Sequence, residues 1–239
     1  MTSAPTAPRT IPTRPRPAPA SQPAPANGKP AFMPIGSAGG HRVVIYGPGG
    51  IGKTTLAAIA PGPVAFFDLD DSLGVLRSQL PEELAKQINR VGGAGDWQAI
   101  RDTLHMTGWD EIKTIVIDSA TKAEELALAW TLKHVPHEKG AKIERIEDYG
   151  YGKGYQHLYD TFLTLLGDLD QHVRAGCNVV LICHDCTATV PNPNGEDWIR
   201  YEPRLQSPNS GKSSIRLRVR EWADHVLFVG YDVDVKEGK

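Results

Sequence analysis

The sequence predicts an α/β fold, a mostly parallel sheet flanked by helices with a β-hairpin region toward its C-terminal end. Three observations carry that reading. Short runs rich in Val, Ile and Phe alternate with amphipathic stretches along most of the chain. Those runs lack polar alternation, as strands buried on both faces do. A glycine-rich sequence joins the first run to the first helical stretch.

The elements follow in order. Apolar runs at 42–46, 64–68, 113–118 and 178–184 read as four buried strands. Helical patterns lie at 54–60, 72–76, 81–89, 96–106 and 119–134. The clearest helix is 155–174, where Tyr155, Leu158, Tyr159, Phe162, Leu165, Leu166, Leu169 and Val173 form one apolar stripe. Beyond it the pattern changes. Residues 187–190 and 198–201 flank the turn cluster Pro191-Asn192-Pro193-Asn194-Gly195, which predicts a hairpin. Arg216, Arg218 and Arg220 alternate with Leu217 and Val219, as on a half-exposed strand, and 225–233 reads as a final strand.

Composition sets the limits. Of 239 residues, 40% are hydrophobic and 23% charged, which excludes wholesale disorder and fibrous repeats. The net charge of −2 argues against a uniformly basic nucleic-acid binder but allows a local basic patch. Three cysteines are too few for a disulfide scaffold and point to a reducing compartment. No apolar run reaches the roughly 18 residues of a membrane span, so a cytoplasmic protein is expected. Ten of the 19 prolines lie in residues 1–34, with Arg9, Arg14, Arg16 and Lys29 and no acid. Residues 1–38 therefore read as a disordered Pro/Ala-rich basic tail, and 39–239 as one domain. The tail suits either a partner-touching arm or a solubilising leader.

The strongest motif is Gly47-Pro48-Gly49-Gly50-Ile51-Gly52-Lys53-Thr54, a full G-x-x-x-x-G-K-[ST] between a buried strand and a helix. Glycines let backbone N–H groups close around phosphate oxygens, and the helix start adds its positive end. Residues 47–54 with Thr55 form the expected ATP-binding set. Lys53 is placed to reach the β- and γ-phosphates and Thr54 to ligate Mg²⁺. The run Thr114-Ile115-Val116-Ile117-Asp118 ends in an acid that would lie near the same Mg²⁺. Asp118 also suits the cap of the helix that follows it.

These residues together resemble a known group. The phosphate loop, the strand ending Ile117-Asp118-Ser119 and the later strand Val179-Val180-Leu181-Ile182-Cys183-His184 look like the RecA-like ATPase core. Tyr149-Gly150-Tyr151-Gly152-Lys153-Gly154-Tyr155 and Trp222-Ala223-Asp224-His225-Val226-Leu227 resemble phage-encoded AAA-type nucleotide-binding proteins related to ATP-dependent single-strand annealing recombinases. The likeness spans roughly residues 41–232. Two neighbouring families fit less well: Ser119 stands where many AAA+ motors carry a second acid, and Pro48 where partition-type ATPases carry a lysine.

The resemblance implies further roles. A water-positioning acid after the second strand would be Asp70, with Asp71 second. Either is one methylene shorter than the usual glutamate, and Asp71 also suits a helix cap. His184, at the end of the fourth strand, would sense the γ-phosphate. Lys212, with Arg216 behind it, would be the cation reaching a neighbouring subunit's nucleotide, the alternative being a solvated basic face. The resemblance also implies single-stranded DNA, a homo-oligomer or filament and a single-strand binding protein as partners. Tyr149, Tyr151 and Tyr155 near Lys153 are candidates for base stacking, or else core tyrosines on a glycine-rich loop. Cys183-His184-Asp185-Cys186 contains C-x-x-C, but its cysteines lie on opposite faces of a strand and no second pair completes a zinc site.

The expected function is an ATP hydrolase acting on single-stranded DNA in phage recombination or replication, in the bacterial host cytoplasm. Two alternatives stay open: a nucleotide or small-molecule kinase on the same loop, and a non-hydrolysing module in which ATP switches partner affinity.

Overall fold

The computed structural model describes residues 39–208 and 212–232. The predicted tail, the expected single-domain boundary at residue 38 and the end of the predicted last strand lie outside those residues.

Fourteen elements follow the expected alternation. They are β1 (Arg42–Gly47), α1 (Lys53–Ala58), β2 (Val64–Asp68), α2 (Leu73–Arg77), α3 (Glu82–Ala85), β3 (Ile88–Arg90), α4 (Trp97–Leu104), β4 (Thr114–Asp118), α5 (Ala120–His134), α6 (Lys153–Arg174), β5 (Asn178–Val190), β6 (Trp198–Pro203), α7 (Ile215–Trp222) and β7 (His225–Phe228). The sheet runs β3-β2-β4-β5-β1-β7, with every neighbour on this path parallel. The fold is therefore the expected mostly parallel α/β sheet with helices on both faces. Among the described residues, β6 alone is antiparallel; it pairs with the outer half of β5 from Asp185↔Pro203 to Val190↔Trp198, forming the expected hairpin.

Each face of the sheet buries its own core. Val44, Phe67, Ile115, Ile117, Leu181 and Cys183 pack against α4, α5, α6 and α7. Ile45, Phe66, Val116, Val180 and Ile182 pack against α1 and α2. The α6 stripe is the largest helical contribution: Leu158, Phe162, Leu165, Leu166, Leu169 and Val173 are all buried. Tyr155 and Tyr159 at its margin are only partly so.

Three readings are corrected. The stretch predicted as one helix at 81–89 is a single turn, α3, followed by the edge strand β3. Residues 216–220 are not a strand. They lie in α7, which buries Ile215, Val219 and Trp222 at helical spacing and is capped by Ser214, whose side chain accepts from the Leu217 N–H. The fourth strand does not stop at His184 but continues to Val190.

Removing a buried ring from the α6 stripe leaves a cavity as well as losing transfer free energy. Phe162→Ala should cost about 3–5 kcal/mol of stability in urea unfolding, with the slope of the transition unchanged.

Candidate functional site

The sheet topology assembles the site. Because β5 lies between β1 and β4, the ends of three strands meet at one edge. In register, Gly47 stands beside His184 and Asp118 beside Ile182. Ligands bind at this carboxyl edge in open parallel sheets.

The phosphate loop is shaped by its glycines. A Cβ on Gly47 would stand 2.0 Å from the Val229 carbonyl oxygen, so the chain just past β7 packs too closely for any side chain there. Gly50 and Gly52 adopt φ of 72° and 98°, the left-handed region glycine enters without cost. No heavy atom lies within 4 Å of the Cβ position at Gly49, Gly50 or Gly52, so the cradle is open to an anion. Lys53 is buried and closes the loop on itself, its Nζ donating to the carbonyls of Gly47 at 2.8 Å and Pro48 at 2.6 Å. Burial lowers its pKa; the charges of Asp185, Asp118 and Asp70 oppose that shift.

Thr54 and Asp118 meet as expected. The Thr54 hydroxyl donates to Asp118 Oδ2 at 2.8 Å, and the Ser72 hydroxyl donates to the same oxygen at 2.9 Å. Asp118 is 3% exposed. Its burial raises the carboxyl above the ordinary carboxylate range, the two hydroxyls oppose that rise, and nearby Asp70 and Asp68 add to it. A divalent cation beside Asp118 would offset both its burial and the crowding by Asp68 and Asp70. The donor set, one hydroxyl and one carboxylate beside an open anion cradle, fits Mg²⁺ with a nucleotide phosphate. α5 is capped by Ser119, whose hydroxyl accepts from the Lys122 N–H, and not by Asp118.

The second acid comes from the end of β2. The backbone N–H groups of Leu69 and Asp70 donate to the Asp118 carbonyl, tying the turn after β2 to β4. Asp70 Oδ2 stands 3.6 Å from His184 Nε2, so these two candidates face each other at the site. Asp71 turns away. It adopts a φ of 53°, its side chain is 81% exposed, and it pairs with Arg90. Nor does it cap α2, whose N-cap is Ser72; Asp68 accepts the Ser72 N–H at 2.8 Å.

Sequence reasoning missed Asp68, Ser72, Thr121 and Asp185. Asp68 reads as a strand residue, yet it is buried and organises the turn that carries Asp70. Ser72 carried no signal beyond its position before a helix. Thr121 Oγ1 accepts the His184 N–H at 3.1 Å. Asp185 is the acid whose charge acts most on Lys53.

Other candidates fall outside this cluster. Lys212 lies in the turn before α7 and lines a groove of about 300 Å³ with Tyr151, Lys153, Tyr155 and Pro208. Arg216 is a brace: its guanidinium donates to the carbonyls of Pro203 at 2.9 Å and Leu205 at 3.2 Å. Arg220 bonds both oxygens of the buried Glu202. These two arginines, four apart on α7, grip the hairpin. Tyr149 is a core residue whose hydroxyl donates to Thr131 and Val135 carbonyls, whereas Tyr151 is fully exposed. Cys183 is enclosed in the core, where burial pushes its thiol pKa up strongly. No cluster of metal-binding side chains occurs among the described residues. No described helix is long and apolar enough to cross a membrane.

An open phosphate cradle, a buried lysine and a hydroxyl–carboxylate pair at the carboxyl edge of a parallel sheet define a P-loop NTPase. The chain belongs to the AAA_24 family, an AAA domain, whose model matches residues 40–239. Among solved structures it is similar to a crystal structure of the RadB recombinase, at 16% identity and a TM-score of 0.37, over 70% of this chain and 88% of that one. No curated protein matches.

Replacing the buried acid separates folding from metal binding. Asp118→Asn should leave the nucleotide-free chain folded at neutral pH, with a Tm at least that of the wild type. It should abolish the additional thermal stabilisation that Mg²⁺ gives in the presence of ATP, as measured by calorimetry.

Proposed function

We propose that the protein binds ATP with Mg²⁺ and hydrolyses it, and that hydrolysis is coupled to binding or annealing of single-stranded DNA in phage recombination or replication. The observation that carries the reading is the convergence of Lys53, Thr54, Asp118, Asp70 and His184 on one sheet edge. Residues 47–55 bind the phosphates through backbone N–H groups, and Lys53 leaves the Gly47 and Pro48 carbonyls to meet the β- and γ-phosphates. Thr54 and Asp118 hold Mg²⁺, which when bound neutralises charge developing between the phosphates.

Asp70 is the group that accepts the proton of the attacking water. Its neighbour His184 donates to the γ-phosphate and orients the acid. Asp71 is withdrawn from that role because it faces solvent. Lys212 acts in trans: it does not join its own chain's site and lies in an exposed turn, where it can meet the nucleotide of the next copy in a homo-oligomer or filament. The exposed Tyr151 supports contact with single-stranded DNA near that groove, with a single-strand binding protein as a further partner.

Steady-state ATP hydrolysis tests the reading, with and without single-stranded DNA and with Lys53→Ala as the blank. Turnover should rise with DNA and fall about 10²–10³-fold in the variant. Asp70→Asn should lower kcat with little change in KM, while Asp71→Asn stays near wild type. ATP binding without turnover would favour the switch module; phosphate transfer to a nucleoside monophosphate would favour the kinase.

A further inference from the structure

One titratable group near the site has no part in the chemistry described so far. Glu124 lies on the second turn of α5, partly buried beneath the segment that follows β6. Its Oε1 accepts the backbone N–H of Gln206 at 2.8 Å. One turn earlier, Thr121 Oγ1 accepts the His184 N–H and donates to the Arg204 carbonyl at 3.3 Å. The Arg204 N–H in turn donates to the His184 carbonyl at 2.8 Å. His184, Arg204 and Thr121 therefore close a ring of three hydrogen bonds, and Glu124 fastens the chain two residues beyond it. The Arg216 N–H donates to the Gln206 carbonyl, so the same segment is tied to the first turn of α7.

A second observation concerns the same segment. Both polar atoms of the Gln206 carboxamide are buried without a partner among the described residues. An unpartnered buried amide is unfavourable, which favours any rearrangement that gives it a partner. A cavity of about 240 Å³, lined by Thr121, Glu124, Leu128, Arg204, Leu205 and Gln206, leaves room for one.

We propose that Thr121 and Glu124 are positioning residues, which hold His184 by clamping the Arg204–Gln206 segment against it, although neither side chain touches the nucleotide. The inference rests on the proposed role of His184. It adds a link between that role and the segment tied to α7.

The charge on Glu124 sets the strength of the clamp. Burial raises its carboxyl to about 7, opposed by the Gln206 N–H and by Arg216 of α7, while Glu125 on its own helix adds to the rise. The other titratable group facing it is the buried Cys183 thiol of β5. Below neutrality Glu124 accepts the Gln206 N–H as a neutral acid. Above it a carboxylate must form beneath the segment. An acid whose folded-state pKa is raised removes stability as pH climbs from the ordinary carboxylate range to about 7, because the unfolded chain releases its proton first.

The test uses the full chain and two readouts. The His184 imidazole resonance, assigned by its loss in His184→Asn, is titrated without nucleotide from about pH 5 to 9. In parallel, kcat and KM for ATP are measured over the same range. In the wild type kcat should inflect near pH 7, and Glu124→Gln should lose that inflection. Glu124→Ala and the near-isosteric Thr121→Val should shift the His184 titration and lower kcat about tenfold at unchanged KM, and Thr121→Ser should restore both. If Glu124→Ala does not fold, Glu124→Gln and Thr121→Val decide by the same titration. A His184 titration unchanged in Thr121→Val and in the Glu124 variants overturns the proposal. Absence of ATP turnover in the wild type overturns the ATPase reading alone, because the nucleotide-free titration still decides whether the clamp exists.

Discussion

A carboxylate buried beside other carboxylates is the constraint around which this molecule is arranged. Asp118 accepts two hydroxyl hydrogen bonds, from Thr54 and Ser72, and these bring the helix after the phosphate loop and the turn after β2 to the same oxygen. Its carbonyl accepts two more from Leu69 and Asp70. Main chain and side chain of one residue thus join β1, β2 and β4 at a single edge. The arrangement suits a cation site, because a divalent ion there would offset the repulsion among these acids.

The helices after the site carry a different kind of work. The two arginines on α7 that point inward do not offer charge to solvent. One holds carbonyls, the other a buried glutamate at the base of the hairpin. Breaking such a pair strands the partner charge in a poorly solvated place, so these contacts fix where β6 lies more than they add to overall stability. The phosphate-binding edge and the hairpin are in this way two ends of one braced assembly.

How much of this could be read from the sequence depended on burial. The strands β1, β2, β4 and β5 were legible because parallel strands covered on both faces must be apolar throughout. The phosphate loop was legible because its glycines answer a steric demand. By contrast, β3 is three residues long and lies at the sheet edge; Ile88-Asn89-Arg90 carries no pattern that separates it from the turn before it. The α7 segment Arg216-Leu217-Arg218-Val219-Arg220 satisfies a period of two and a period of 3.6 equally over so short a span. Its cap, Ser214, was the discriminating signal. Asp70 and Asp71 are neighbours with the same chemistry, and only the left-handed backbone at Asp71 sends one outward. Asp68 escaped notice because an acid that closes an apolar run looks like nothing more than the strand's last residue, not an acceptor for the turn that follows.

The length of β5 has a mechanical consequence. Thirteen residues make a rod of roughly 43 Å. Its first half is gripped on both sides, by β1 and β4, whereas beyond His184 it is paired only with β6. Such a strand is a cantilever whose root is the residue beside the phosphate loop. Leverage favours the tip: a load at the turn near Asn194 acts through a long arm on the peptide of His184, while a small displacement at the root sweeps the tip through a much larger arc.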